Sequence, residues 1–131
     1  MINKTFIEET DKIIARLKDR GVVLENGNVL VAKVKTDRVT KGGIILADDA
    51  VDLEDYHNGF ARILALPRLL DSQNGDADLK VGDYVLHSHE ARYKPYTPAL
   101  REMLDLVIED NFVYAVQDAD VIITVSQSKF Q

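Results

Sequence analysis

The sequence predicts a mainly β fold, a small barrel or sandwich, with one helix ahead of it. Short apolar runs recur from Val22 to Val125 and are separated by turn signals, the pattern of compact all-β domains. Two of those signals are the Asn-Gly pairs Asn26-Gly27 and Asn74-Gly75, which supply the positive φ angles that a tight reversal needs. Ahead of Val22 the apolar residues recur at helical spacing instead.

The helix is expected over residues 5–20. Thr5 and Glu8 have capping-box spacing, the hydroxyl serving one orphan amide and the carboxylate the other. Phe6, Ile13, Ile14 and Leu17 fall on one stripe, Glu8 and Lys12 are placed to pair one turn apart, and Gly21 after Lys18 and Arg20 is a C-terminal stop. Two roles are open for this helix: packing on its own domain, or serving as an arm that contacts a neighbouring subunit or another protein.

Val22-Val23-Leu24 and Val29 to Val34 read as strands flanking an Asn26-Gly27 hairpin turn. Phe60 to Leu66 is a further strand, stopped by Pro67. Asp71 to Asp76 is a turn, and Leu79 to Leu86 carries a glycine turn into another strand. Ala91 to Thr97, polar and aromatic with a proline, reads as loop. Thr97-Pro98 begins a short helix whose apolar face is Leu100, Met103 and Leu104, proline being favoured in a first turn. Phe112 to Val116 and Val121 to Val125 end the chain as two strands around a tight turn at 117–120.

Between the strands lies a long segment, 35–58, with little periodicity. At its centre is Lys41-Gly42-Gly43-Ile44-Ile45-Leu46, three large aliphatic residues behind a glycine pair. Each is worth roughly 1.5–3 kcal/mol when removed from water, yet the flanks are polar and Asp48, Asp49, Asp52, Glu54 and Asp55 make the second half acidic. Segments of this kind in compact domains are usually functional or disordered. The tripeptide is either a buried strand after a Gly-Gly turn or an exposed element that docks in a partner's apolar groove.

With 131 residues the chain is one domain, large enough for a real core. Its net charge of −6 disfavours phosphate backbones and anionic lipid, and its apolar runs are too short to span a bilayer. Neither nucleic acid nor membrane is an expected partner. The absence of cysteine removes disulfides, thiolate catalysis and cysteine zinc sites, and favours a reducing compartment. Glu8-Glu9, inside the N-terminal apolar pattern, argues against a signal peptide.

Candidates for chemistry are few. His87 and His89 would lie on the same side of a strand and could share a metal, with Glu90 and His57 completing the set. The plain alternative is a pair of solvent-facing histidines at a strand end. Gly42-Gly43 fits neither phosphate-loop pattern. Ser88, Ser126 and Ser128 have no nucleophile-elbow context, and the acidic run 48–55 lacks the spacing of a calcium loop. No catalytic residue and no cofactor are expected.

Five segments follow one another in a recognisable order: Val29-Leu30-Val31, then Gly42-Gly43-Ile44-Ile45-Leu46, then Gly59 to Ala65, then Lys80-Val81-Gly82-Asp83-Tyr84-Val85, then Val113 to Val125 with Asp120 ahead of Val121-Ile122. From about Val22 to Val125 the chain resembles the GroES-type co-chaperonins, the ring-shaped lids of GroEL-type chaperonins. Lys80-Val81-Gly82-Asp83 with Val85 is the most specific of these motifs. The resemblance implies an irregular Greek-key β-barrel. It implies seven copies in a dome, with the first and last strands of neighbouring subunits meeting. Gly42, Gly43, Ile44, Ile45 and Leu46 would sit on a mobile loop, residues 35–58, that binds the chaperonin's apical domains. The segment 67–79 takes the place of the family's roof hairpin. The work implied is that of a cytoplasmic lid, closing non-native client proteins into the folding chamber during an ATP-dependent cycle.

The chain departs from that pattern in several places. The N-terminal helix precedes everything the pattern covers, so residues 1–21 are taken as an extension and 22–131 as the barrel domain. Leu24-Glu25-Asn26-Gly27-Asn28 stands where the family has Pro-Leu-x-Asp-Arg, so Asn26-Gly27 reads equally as the bend into the barrel. The roof segment is slightly short. The stretch from His87 to Asn111 is long, and Tyr93, at the place of the roof aromatic, lacks its flanking glycines. Such departures point to a divergent, bacteriophage-encoded member. Two other readings stand beside this one: an assembly protein that keeps the barrel without binding a chaperonin, and a metal-dependent enzyme built on His87 and His89.

Overall fold

The computed structural model describes residues 2–35, 59–67, 79–88, 94–95, 97–109 and 112–130. Helix α1 (Lys4–Asp19) comes first. Strands β1 (Asn28–Lys33), β2 (Phe60–Ala65), β3 (Tyr84–His87) and β4 (Lys94–Pro95) follow, then helix α2 (Thr97–Leu104), then β5 (Val113–Gln117) and β6 (Val121–Val125). The six strands form one sheet in the order β4-β5-β1-β2-β3-β6, antiparallel at every pairing.

That order dictates a curled sheet. Strands β5 and β6 are consecutive in the chain, yet the β1-β2-β3 block lies between them. A 3-10 turn of 3 residues, Asp118–Asp120, joins them. Laid flat, they would stand about 19 Å apart at the usual strand spacing, whereas such a turn rises only about 6 Å. The sheet must therefore close on itself. It brings the His87 ring on β3 to 5.6 Å from the Tyr114 ring on β5, edge to face. The fold is mainly β and barrel-like, as the sequence predicts.

Strands β1 and β2 are buried on both faces. Val29 and Val31 join Ile63, Val85 and Val116 in one core cluster. The alternate residues Leu30, Ala32 and Val34 join a second cluster with Phe6, Leu17, Leu104 and Phe112 from α1, α2 and the approach to β5. Residues of alternating parity face opposite sides of a strand, so the helices cover what would otherwise be the barrel's wet surface. This is why β1 and β2 read as nearly continuous apolar runs.

Several local expectations are corrected. Helix α1 is capped by Asn3, whose Oδ1 accepts from the Phe6 amide at 3.1 Å, rather than by Thr5. Of the four stripe residues, Phe6, Ile13 and Leu17 are buried and Ile14 only partly, while Thr10 is fully buried among them. The helix packs on its own barrel. Val22 to Leu24 is not a strand. Leu24 makes a single bridge to Pro67, and Asn26-Gly27 is the bend into β1. Lys94–Pro95, in a stretch read as loop, pairs with β5. Met103 is exposed, leaving Leu100 and Leu104 as the buried face of α2. Finally, β5 and β6 are joined but do not pair with each other.

Arg62 ties α1 to the barrel. It lies on the face of β2 that α1 covers, and its side chain is 2% exposed. Nε donates to the Gly82 carbonyl at 2.9 Å. Nη1 donates to Thr10 Oγ1 at 2.7 Å and to the Ile7 carbonyl at 3.3 Å, and Nη2 to Gln127 Oε1 at 3.3 Å. Asp11 supplies the counter-charge at 2.8 Å, and the guanidinium stands 5.6 Å from the Tyr84 ring centroid. Burying a guanidinium is tolerable only when its donors are satisfied in this way. Replacing Arg62 with leucine orphans these acceptors, and denaturant unfolding is expected to show a loss of about 2–4 kcal/mol. Asp11→Asn should cost about 1 kcal/mol or less, because that carboxylate is more than half exposed. Equal losses would mean that the ion pair, not the buried acceptors, holds the guanidinium.

Candidate functional site

The five residues expected to bind a partner, Gly42, Gly43, Ile44, Ile45 and Leu46, lie outside the described residues, as do His57, His89, Glu90, Tyr93 and most of the roof segment. The described structure shows where the chain bearing the tripeptide leaves the barrel and where it returns. It leaves after Lys35, beyond the end of β1, and returns at Gly59, immediately before β2. The Val34 amide donates to the Phe60 carbonyl at 3.1 Å. Exit and return are thus neighbouring backbones.

Each stem is pinned. On the exit side, the Lys35 carbonyl accepts from the Asn3 amide at 2.8 Å. The Lys35 ammonium pairs with Glu109 and stands 5.0 Å from the centroid of the Phe112 ring. On the return side, the Gly59 carbonyl accepts from the His87 amide at 3.0 Å. Gly59 has φ +65°, and a Cβ there would stand 2.3 Å from the His87 carbonyl oxygen. Only glycine permits both the conformation and the approach.

His87 is a structural residue of this return stem. It is 1% exposed, which corrects the expectation of a solvent-facing side chain. Nδ1 lies 2.9 Å from the Ser88 carbonyl and Nε2 2.7 Å from the Tyr114 hydroxyl. A carbonyl only accepts, so Nδ1 carries the proton and Nε2 accepts from Tyr114. Both ring nitrogens are engaged. Among the described residues, no group of three histidine or acidic side chains is placed to hold a metal. A cleft of about 620 Å³ opens between α1, α2 and segment 105–109. Its cations Lys35 and Arg101 are taken up by Glu109 and by the Ile108 carbonyl.

The chaperonin 10 Kd subunit family model matches residues 24–125, most of the chain. The protein belongs to this co-chaperonin family. No curated protein matches the sequence. Co-chaperonins of this family are non-enzymatic partners of GroEL-type chaperonins. The match covers every strand of the sheet and leaves α1 outside it.

Sequence reasoning missed Arg62, Gly59 and the His87–Tyr114 contact as determinants of the stems and of the α1 dock. One signal was available: Thr10 interrupts an otherwise apolar stripe, and a buried hydroxyl announces a polar partner.

Burial holds the His87 imidazole below its ordinary value of 6.5, against the opposing pull of the Ser88 carbonyl and the Asp120 carboxylate. The unfolded chain therefore takes up a proton that the folded chain resists. Stability contributed by a neutral His87 is fully present above pH 6.5 and falls as the pH drops below it. Unfolding free energies measured from pH 7.5 to 5.5 should decline in the wild type and decline less in His87→Gln, the slopes differing by at most about 1.4 kcal/mol per pH unit. Parallel profiles would remove His87 as the titrating group.

Proposed function

We propose that this co-chaperonin is a subunit of a ring-shaped lid that docks on a GroEL-type chaperonin through Ile44, Ile45 and Leu46, with Gly42-Gly43 as the hinge. The observation that carries the reading is the stem geometry. A long segment bearing one aliphatic tripeptide leaves and re-enters the barrel between hydrogen-bonded backbones, an arrangement suited to presenting a short motif away from a rigid body. The family match over residues 24–125 supports the same reading, and the resemblance of Gly42 to Leu46 to the family's loop motif points to these residues as the contact.

Ring assembly draws support from β6. One of its edges pairs with β3, and among the described residues no strand covers the other. Ile122 and Ile123 on this strand are 65% and 49% exposed. An uncovered edge bearing large aliphatic residues is a liability in a lone subunit and an interface in an oligomer. We take the ring to have seven members, in the cytoplasm of the cell that makes it.

Seven weak contacts then act together. A loop that spends ordering entropy on docking binds weakly by itself, whereas linked loops gain about 10²–10⁴ in avidity. Collective binding of this kind is strong enough to close a chamber over a non-native client. It is also released readily when ATP turnover changes the chaperonin's shape.

Substituting Ile45 with aspartate places a carboxylate where an apolar groove must accept it. The variant is expected to keep its assembly and to lose nucleotide-dependent co-migration with a GroEL-type chaperonin. Co-migration equal to wild type would show that the tripeptide is not the contact, and an absence of complex in the wild type would favour an assembly role without a chaperonin.

A further inference from the structure

Helix α1 lies outside the range of the family match, yet its first residues hold the exit stem of segment 36–58. Asn3 serves twice. Its side chain caps the helix by accepting from the Phe6 amide, and its own amide donates to the Lys35 carbonyl at 2.8 Å. The residue that starts α1 is therefore the residue that fixes Lys35, where the chain enters the segment. Phe6, in the first turn of α1, meets Phe112 edge-on at 5.8 Å, and Phe112 lies beneath the Lys35 ammonium. Glu109 adds its ion pair with Lys35 to this collar. The Lys33 amide donates to the Phe112 carbonyl at 3.0 Å, so the same collar reaches the end of β1.

The collar is rigid because α1 is fixed elsewhere. Arg62 holds its middle through Thr10, Ile7 and Asp11. Arg16 Nη1 donates to the Leu104 carbonyl at 2.9 Å and ties its last turns to α2. A helix anchored at mid-length and at its C-terminal end presents its N-terminus at a set position, and that position is the Lys35 stem.

We propose that α1 is a positioning element for the chaperonin-binding loop. It holds the exit stem in one geometry through the Asn3–Lys35 bond and the Phe6, Phe112 and Glu109 collar, so that the ordering required on docking begins beyond Lys35 and not inside the barrel. Each residue ordered in advance spares about tenfold in affinity at the moment of binding, the general advantage of a preorganised ligand. The proposal rests on the reading of 42–46 as the chaperonin contact.

Two substitutions at one position isolate the effect. Asn3→Ala removes the helix cap and keeps the backbone amide. Asn3→Pro removes both, and the native angles at this residue, φ −64° and ψ 131°, suit the proline ring. Both variants are expected to retain the wild-type native assembly mass. Asn3→Pro should bind a GroEL-type chaperonin in the presence of ATP about tenfold more weakly than Asn3→Ala, and its Val34 amide should exchange hydrogen faster. Equal affinities for the two variants would overturn the proposal. Should Asn3→Pro fail to assemble, Lys35→Met decides. It keeps the backbone and removes the ion pair and the ring contact, so about threefold weaker binding is expected, and wild-type affinity would refute the collar. Ile45→Asp run alongside separates the two levels: if it binds normally, the loop reading has failed, whatever the Asn3 variants do.

Discussion

The structure depends on one buried cation. Arg62 stands where an aliphatic residue would complete the outer face of β2, and it draws acceptors from three separated parts of the chain: α1, the Gly82 turn and the C-terminal Gln127. A guanidinium in that position is untenable without cover. Helix α1 is therefore required by the barrel, and its placement over β2 sets where its N-terminus falls. Asp83, beside the same turn, accepts from the Gln127 amide at 3.0 Å, so the segment carrying Lys80-Val81-Gly82-Asp83 and the chain's last turn close around the same side chain. The most specific sequence motif of the family is, in this protein, part of the socket for Arg62.

Seen from this constraint, the two stems of segment 36–58 are outcomes of barrel closure and helix docking. The return stem needs His87, which is buried because the sheet curls until β3 faces β5. The exit stem needs Asn3, which is in place because α1 is anchored by Arg62 and Arg16. Neither stem uses a charge exposed to competing water as its main tie. Among the described residues the result is a barrel that holds both stems of segment 36–58 beside each other, which suits the proposed role, in which weak, separate contacts act in concert.

The strands were legible in the sequence because helices cover the outer faces of β1 and β2. Asn28–Lys33 and Phe60–Ala65 carry apolar residues at both parities, and such runs declare themselves. Their partners were not legible. A turn at 117–120 announces that the chain reverses but not which strand it meets next, so β5 and β6 read as a pair although three strands lie between them. Arg62 was passed over because one polar residue in Phe60-Ala61-Arg62-Ile63 looks like the wet side of an alternating strand. Its acceptors, Thr10 and Gln127, are remote in sequence. His87 and His89 suggested a metal on strand parity alone, and parity could not show that Tyr114 arrives from β5 to engage the His87 ring. The aliphatic tripeptide lies outside the described residues. The proposal that it is a contact rests on its motif order and on the stems that flank it.

The proposed role makes this barrel one member of a ring that caps a chaperonin. Native mass measurement of the purified chain, alone and with a GroEL-type chaperonin and ATP, tests it most directly. The expected result is a single species of seven chains that joins the chaperonin only when nucleotide is present. A monomer or dimer at micromolar concentration that forms no nucleotide-dependent complex would contradict it.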